Sequence, residues 1–145
     1  KIEGGREVVT RLYVSRAKFA GRGIFNEPAV LSLLEPLGFK VVYPESYSFE
    51  EQVFLFSNAE CVVGEHGSGM FNSVFCNSGA IVIDLFPASV NTNLYRALLP
   101  LGINYHAVLS PEGSMVRWNM AKSFSVNIIE FAAALKSLGI TNITP

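Results

Sequence analysis

The residues of this chain best equipped for chemistry gather in one stretch. Glu65-His66-Gly67-Ser68-Gly69 sets a carboxylate, an ionisable ring and a hydroxyl among glycines, and the amide of Asn72 follows three residues later. Gly64, Gly67 and Gly69 let the backbone come close to a bound molecule. His66, Ser68 and Asn72 would then offer hydrogen bonds to an oxyanion, so a phosphate-bearing ligand is the first expectation. Arg16 and Arg22 stand earlier in the chain, and a guanidinium bridges phosphate oxygens bidentately. Asp84 interrupts the apolar run Ala80 to Phe86, where a buried charge needs a partner; a ribose hydroxyl or Arg16 would serve, and backbone donors are the alternative.

The elements that must position these residues alternate in type. Cys61-Val62-Val63 stops at Gly64, and Met70, Phe71, Val74 and Phe75 recur at helical spacing, so His66 sits between a strand and a helix. The N-terminus of such a helix presents unpaired N–H groups to an anion. Further strands are predicted at Val8 to Ser15, Phe39 to Tyr43, Ala80 to Phe86 and Ile103 to Leu109. One helix should start at the cap residue Asn26, with Pro28 in its first turn, and stop at Gly38; another should follow Ser48, whose spacing to Glu51 is that of a capping box. Two more are predicted from Leu94 to Leu101 and from Val126 to Leu138, with an irregular stretch from Ser110 to Lys122 before the last. Strands alternating with helices predict an α/β fold, a doubly wound, mostly parallel five-stranded sheet of Rossmann-like type. The expected strand order is 3-2-1-4-5, which brings the carboxyl ends of strands one and four, and with them Arg16 and Asp84, to one crevice. With no repeat or low-complexity linker, residues 1–145 read as one domain.

Composition narrows the function. Half of the 145 residues are hydrophobic, enough for a sizeable core, and the formal net charge of −1 gives no footprint for nucleic acid or an acidic membrane surface. Cys61 and Cys76 lack metal or disulfide spacing and read as reduced, buried thiols. No apolar run is long enough to span a bilayer. The chain opens on Lys1 rather than methionine, so it is expected to be part of a longer protein. Ser68 has His66 and Met70 where a nucleophile elbow needs glycines, the glycine loop follows the third strand rather than the first, and no Walker lysine is present.

RLYVSR, Arg22 ahead of Asn26-Glu27, the turn from Gly38 to Glu45, Ser48 to Val53, GEHGSGMFN and IVIDLFP together resemble the carboxyl-terminal domain of family 61 glycosyltransferases. The patches fall in the family's order from about Arg11 to about Pro87. The resemblance implies half of a GT-B fold, binding a nucleotide-sugar, commonly a UDP-sugar, and transferring it with inversion to a glycan or polysaccharide hydroxyl. It implies no cofactor and no obligatory metal, and a missing amino-terminal, acceptor-binding domain as partner. Without a metal, the diphosphate leaving group must be neutralised by helix N-terminal N–H groups and side chains.

On that reading His66 is the catalytic residue, stabilising the leaving diphosphate, with a general-base role as a second option and a ring that merely hydrogen-bonds its own loop as the bland one. The expected donor-binding set is Arg16, Arg22, Gly67, Ser68, Gly69, Asn72, Asp84 and Glu65. For Arg16 the alternative is a surface salt bridge; for Glu65 it is a solvated loop carboxylate rather than a contact to a sugar hydroxyl. Arg11, Asn26, Glu27, Glu51 and Gln52 read first as structural, and Tyr43 with Pro44 as core or pocket lining. The isolated domain should bind donor without turnover. A non-catalytic nucleotide- or sugar-binding module is the alternative function. The preferred setting is bacterial cytoplasm, possible membrane association included, in surface or capsular polysaccharide synthesis; the alternative is the Golgi lumen, where the sequon Asn142-Ile143-Thr144 would matter.

Overall fold

The computed structural model describes residues 2–3, 6–18, 23–87, 92–110, 115–118 and 121–141. Arg22, the sequon, and parts of the loops after the first and fourth strands of the main sheet lie outside them.

Five short apolar runs form that sheet: β1 (Arg11–Val14), β2 (Lys40–Val42), β3 (Cys61–Glu65), β4 (Ile81–Phe86) and β5 (Asn104–Leu109). All neighbours run parallel, in the order β2-β1-β3-β4-β5. The helices are α1 (Glu27–Leu34), α2 (Phe49–Ser57), α3 (Asn93–Leu98) and α4 (Ile128–Ser137). The central strands β3 and β4 are buried almost throughout, as expected of strands covered on both faces, while the edge strand β5 is half exposed.

The expected order 3-2-1-4-5 is therefore corrected to 2-1-3-4-5. The physical reason lies in which face each crossover helix covers. Val30 and Leu34 of α1 pack with Tyr13, Val63 and Ile83 on one face; Leu55 and Phe56 of α2 pack with Leu12, Val14 and Val62 on the other. With right-handed crossovers, a change of face reverses the direction in which the sheet grows, so β3 returns past β2 to pair with β1. The switch point thus falls between β1 and β3, not between strands one and four.

Three local expectations change as well. The helix after His66 is a 3-10 helix, Ser68–Phe75, rather than an α-helix. Asn26 does not cap α1 with its side chain; its Nδ2 donates to the Val126 carbonyl and its Oδ1 accepts from the Val126 N–H, both at 2.9 Å. The stretch expected to be irregular contains a hairpin of Met115–Trp118 and Ala121–Phe124, and the latter strand also pairs with Gly23–Ile24. The capping box at Ser48 is present: its Oγ accepts from the Glu51 N–H, and the Glu51 carboxylate accepts from the Ser48 N–H.

Candidate functional site

The register places Val14, Gly64, Asp84 and Ala107 side by side across the carboxyl ends of β1, β3, β4 and β5. At the β1–β3 switch point opens a cleft of about 260 Å³, lined by Val14, Ser15, Arg16, Pro44, Glu45, Gln52, Ser68, Gly69 and Asn72. Ligands of open α/β sheets bind at such a point. Of the residues anticipated from sequence, Arg16, Ser68, Gly69 and Asn72 meet in this cleft. The 3-10 helix begins there; its first internal bond runs from the Met70 N–H to the Gly67 carbonyl, which leaves the N–H groups of Ser68 and Gly69 without a partner inside the helix.

Arg16 reaches the loop from the end of β1. Its Nη1 donates to the His66 carbonyl at 3.1 Å and lies 4.0 Å from Glu65 Oε1. Gly67 makes this possible, because a Cβ there would stand on the guanidinium. Gly64 answers a tighter constraint: a Cβ would come within 2.5 Å of the Met70 sulfur and 2.9 Å of the Val14 Cβ. Glu65 is no solvated loop carboxylate; it is the buried last residue of β3.

Asp84 does not face Arg16. With β3 between β1 and β4, it lies beneath the His66 ring instead, and its Oδ2 is 2.9 Å from His66 Nδ1. The Tyr105 hydroxyl donates to the same oxygen at 3.0 Å. Phe86 stacks on the imidazole, 4.1 Å between centroids and 21° between planes. The ring is thus held by the next strand and not by its own loop. His66 does not line the Arg16 cleft. The two groups flank the Gly67-Ser68-Gly69 segment, with His66 above β4 and Arg16 at β1. Asp84 is fully buried, and Oδ1 has no hydrogen-bond partner among the described residues. Burial raises its pKa above the ordinary carboxylate range, while the bonds from His66 and Tyr105 act in the opposite sense. Burial and the neighbouring carboxylate likewise raise that of Tyr105.

Some participants escaped the sequence reading. Gln52, taken for a helix-surface residue, lines the cleft; its Oε1 accepts from Asn72 Nδ2 at 2.7 Å and its Nε2 donates to the Tyr47 carbonyl at 3.0 Å. Its place one residue past the capping box was the available signal, and it does not distinguish cleft from solvent. Glu27 accepts from Ser15 Oγ at 2.6 Å and from the Tyr13 hydroxyl at 3.0 Å, which ties α1 to the end of β1 beneath the cleft. Tyr105 could be matched to Asp84 only with the β4–β5 register in hand. Arg11 is structural as expected, donating to the carbonyls of Leu37 and Thr141. No group of three or more His, Cys, Asp or Glu residues suited to a metal occurs among the described residues, and no helix among them is long and apolar enough to cross a membrane.

Comparison with known proteins matches residues 6–83 to the family model described as Glycosyltransferase 61. The chain is 45% identical over 51 residues to the protein O-linked-mannose beta-1,4-N-acetylglucosaminyltransferase 2 of Xenopus tropicalis, covering 35% of this chain and 9% of that protein. It is 36% identical over 87 residues to the Homo sapiens protein of that name, covering 54% and 15%. For the Tetraodon nigroviridis protein the identity is 31% over 116 residues, covering 74% and 20%. The chain spans a fifth or less of the length of these curated relatives.

Proposed function

Because the chain belongs to glycosyltransferase family 61, we propose that it is the donor-binding, carboxyl-terminal half of a GT-B-type enzyme that moves a sugar from a UDP-sugar to a hydroxyl with inversion. The observation that carries this reading is the cleft at the switch point, where the Arg16 guanidinium stands beside the opening N–H groups of the 3-10 helix. A leaving diphosphate gathers negative charge, and preorganised donors aimed at it lower the barrier without a metal ion. Arg16 and the N–H groups of Ser68 and Gly69 take that task. The amides of Asn72 and Gln52, fixed against each other, are suited to ribose or sugar hydroxyls. The relatives are named for transfer of N-acetylglucosamine to protein-linked mannose and come from vertebrates. We therefore take UDP-N-acetylglucosamine as the first donor to test, a protein-borne glycan as acceptor, and the lumenal setting in place of bacterial capsule synthesis. Acceptor recognition falls to a partner domain, so the domain alone binds donor without transferring it.

Calorimetric titration with UDP, GDP and CMP tests the reading. A charge-assisted hydrogen bond contributes about 1.5–3 kcal/mol, so Arg16→Ala should weaken UDP binding roughly tenfold or more, and Asn72→Ala by a smaller factor. The reading is overturned if neither this chain nor a longer parent chain binds any of the three nucleotides at millimolar concentration, or if Arg16→Ala leaves UDP affinity unchanged.

A further inference from the structure

We propose that Asp84 is a positioning residue that holds His66 as the Nδ1–H tautomer, so that Nε2 takes the proton from the acceptor hydroxyl. The inference rests on the glycosyltransferase reading and adds to it the identity of the proton acceptor. Asp84 lies one residue beyond the part of the chain that matches the family, and Tyr105 well beyond it.

Geometry carries the assignment. His66 Nδ1 meets the carboxylate at 2.9 Å, and the Tyr105 hydroxyl fixes the same oxygen from the neighbouring strand. A neutral imidazole carries one N–H, and a carboxylate at Nδ1 draws it there, which leaves Nε2 with its lone pair. Nε2 has no hydrogen-bond partner among the described residues. Stacking on Phe86 removes the ring's remaining freedom, yet 17% of the side chain stays exposed, enough for contact from outside. Other ionisable groups nearby are turned away: the side chain of Glu65 lies across the sheet and next to Arg16, and Arg16 meets the His66 carbonyl rather than its ring. His106 pairs in register with Ile83 on the opposite face.

The step balances as a single displacement. The acceptor oxygen forms its bond to the anomeric carbon as its proton passes to Nε2. The bond from that carbon to the phosphate oxygen breaks, and the nucleoside diphosphate leaves with the electron pair toward Arg16. The imidazolium that results keeps its Nδ1–H on Asp84, the arrangement that stabilises it.

The sequence holds two histidines, so nitrogen-15 NMR of the imidazoles, assigned with His106→Asn, reads the tautomer directly in this domain. The expected result is a protonated Nδ1 and a bare Nε2 on neutral His66, a shift toward the Nε2–H form in Asp84→Ala, and retention of Nδ1–H in Tyr105→Phe, which keeps the carboxylate. In a longer, active parent chain, Asp84→Ala should lower kcat about a hundredfold with the donor KM within about threefold, and adding His66→Gln should cost little more. A bare Nδ1 in the wild type overturns the proposal whether or not Asp84→Ala folds. So does an unchanged kcat in Asp84→Ala. The two readings fail separately, because loss of UDP binding by the wild type would strike the donor cleft and leave the tautomer measurement as it stands.

Discussion

Replacing Gly67 with alanine should disable the anion cleft while leaving the fold intact. Gly67 has φ 164° and ψ −175°, extended backbone that any residue adopts, so the substitution brings no conformational strain. What it brings is a methyl group 2.9 Å from Arg16 Cζ and closer still to Nη1. The obstacle is the far end of a flexible side chain, which can swing out into solvent. The fold loses the bond from Arg16 to the His66 carbonyl and the 4.0 Å approach of Nη1 to the buried Glu65 carboxylate, about 1.5–3 kcal/mol. Binding loses the guanidinium from its station, about 1.5–3 kcal/mol, or roughly ten- to hundredfold in Kd for UDP. Gly64→Ala is the contrast. There a Cβ meets the Val14 Cβ and carbonyl oxygen at 2.9 Å, inside the paired sheet, and overpacking of that kind costs about 1–3 kcal/mol of stability. Urea unfolding and UDP titration of both variants separate the two effects. If Gly67→Ala unfolds as easily as Gly64→Ala and still binds UDP normally, Arg16 does not work from the position assigned to it.

The structure supports three further tests. Asn26→Ala should cost about 1–3 kcal/mol, because it strands both the N–H and the carbonyl of Val126, and should leave UDP affinity unchanged; urea midpoints check it, and a loss under about 0.5 kcal/mol would contradict the role of this clamp. Burial pushes the thiols of Cys61 and Cys76 from an ordinary 9.0 up to about 12, so both should resist iodoacetamide at pH 8 until the chain unfolds. Since these folded-state values are raised, the stabilisation is complete below pH 9 and is lost as pH rises toward 12. Urea midpoints should fall across that window and fall less in Cys61→Ala; a flat profile would refute the assignment.

What the sequence disclosed was local, and what it concealed was relational. Five apolar runs and the breaks at Gly38 and Pro87 are written in residue type, and the strands and α-helices lie close to where periodicity puts them, although Gly64, where the third run was expected to stop, lies inside β3. The order of the strands depends on which face α2 covers, and nothing in Val53 to Phe56 states that. The same ignorance sent Asp84 toward Arg16. Once β3 stands between β1 and β4, that pair is impossible, and the nearest cation-forming group becomes His66. Asn26 shows a second limit: it has the residue type of a cap, but Val126, a hundred residues away, outbids the local N–H groups with two bonds to one amide. The 3-10 course of Ser68–Phe75 was hidden too, since Met70, Phe71, Val74 and Phe75 suit either helix.

One segment, Glu65 to Gly69, faces two kinds of chemistry because strand alternation divides its side chains. Glu65 pairs with Leu85 and belongs to the face that buries Tyr13 and α1, while His66 turns to the other face, over Asp84 and Phe86. Gly67 has no side chain to place, and the space it leaves is filled by Arg16. The His66 carbonyl, not its ring, is what Arg16 holds. Anion binding and proton handling therefore share a backbone but not a side chain. Removing the Arg16 guanidinium leaves the Nδ1 bond to Asp84 and the stack on Phe86 in place, and removing the Asp84 carboxylate leaves the cleft between β1 and β3 lined as before. That separation is why a measurement of nucleotide affinity and a measurement of the imidazole tautomer interrogate different halves of the same loop.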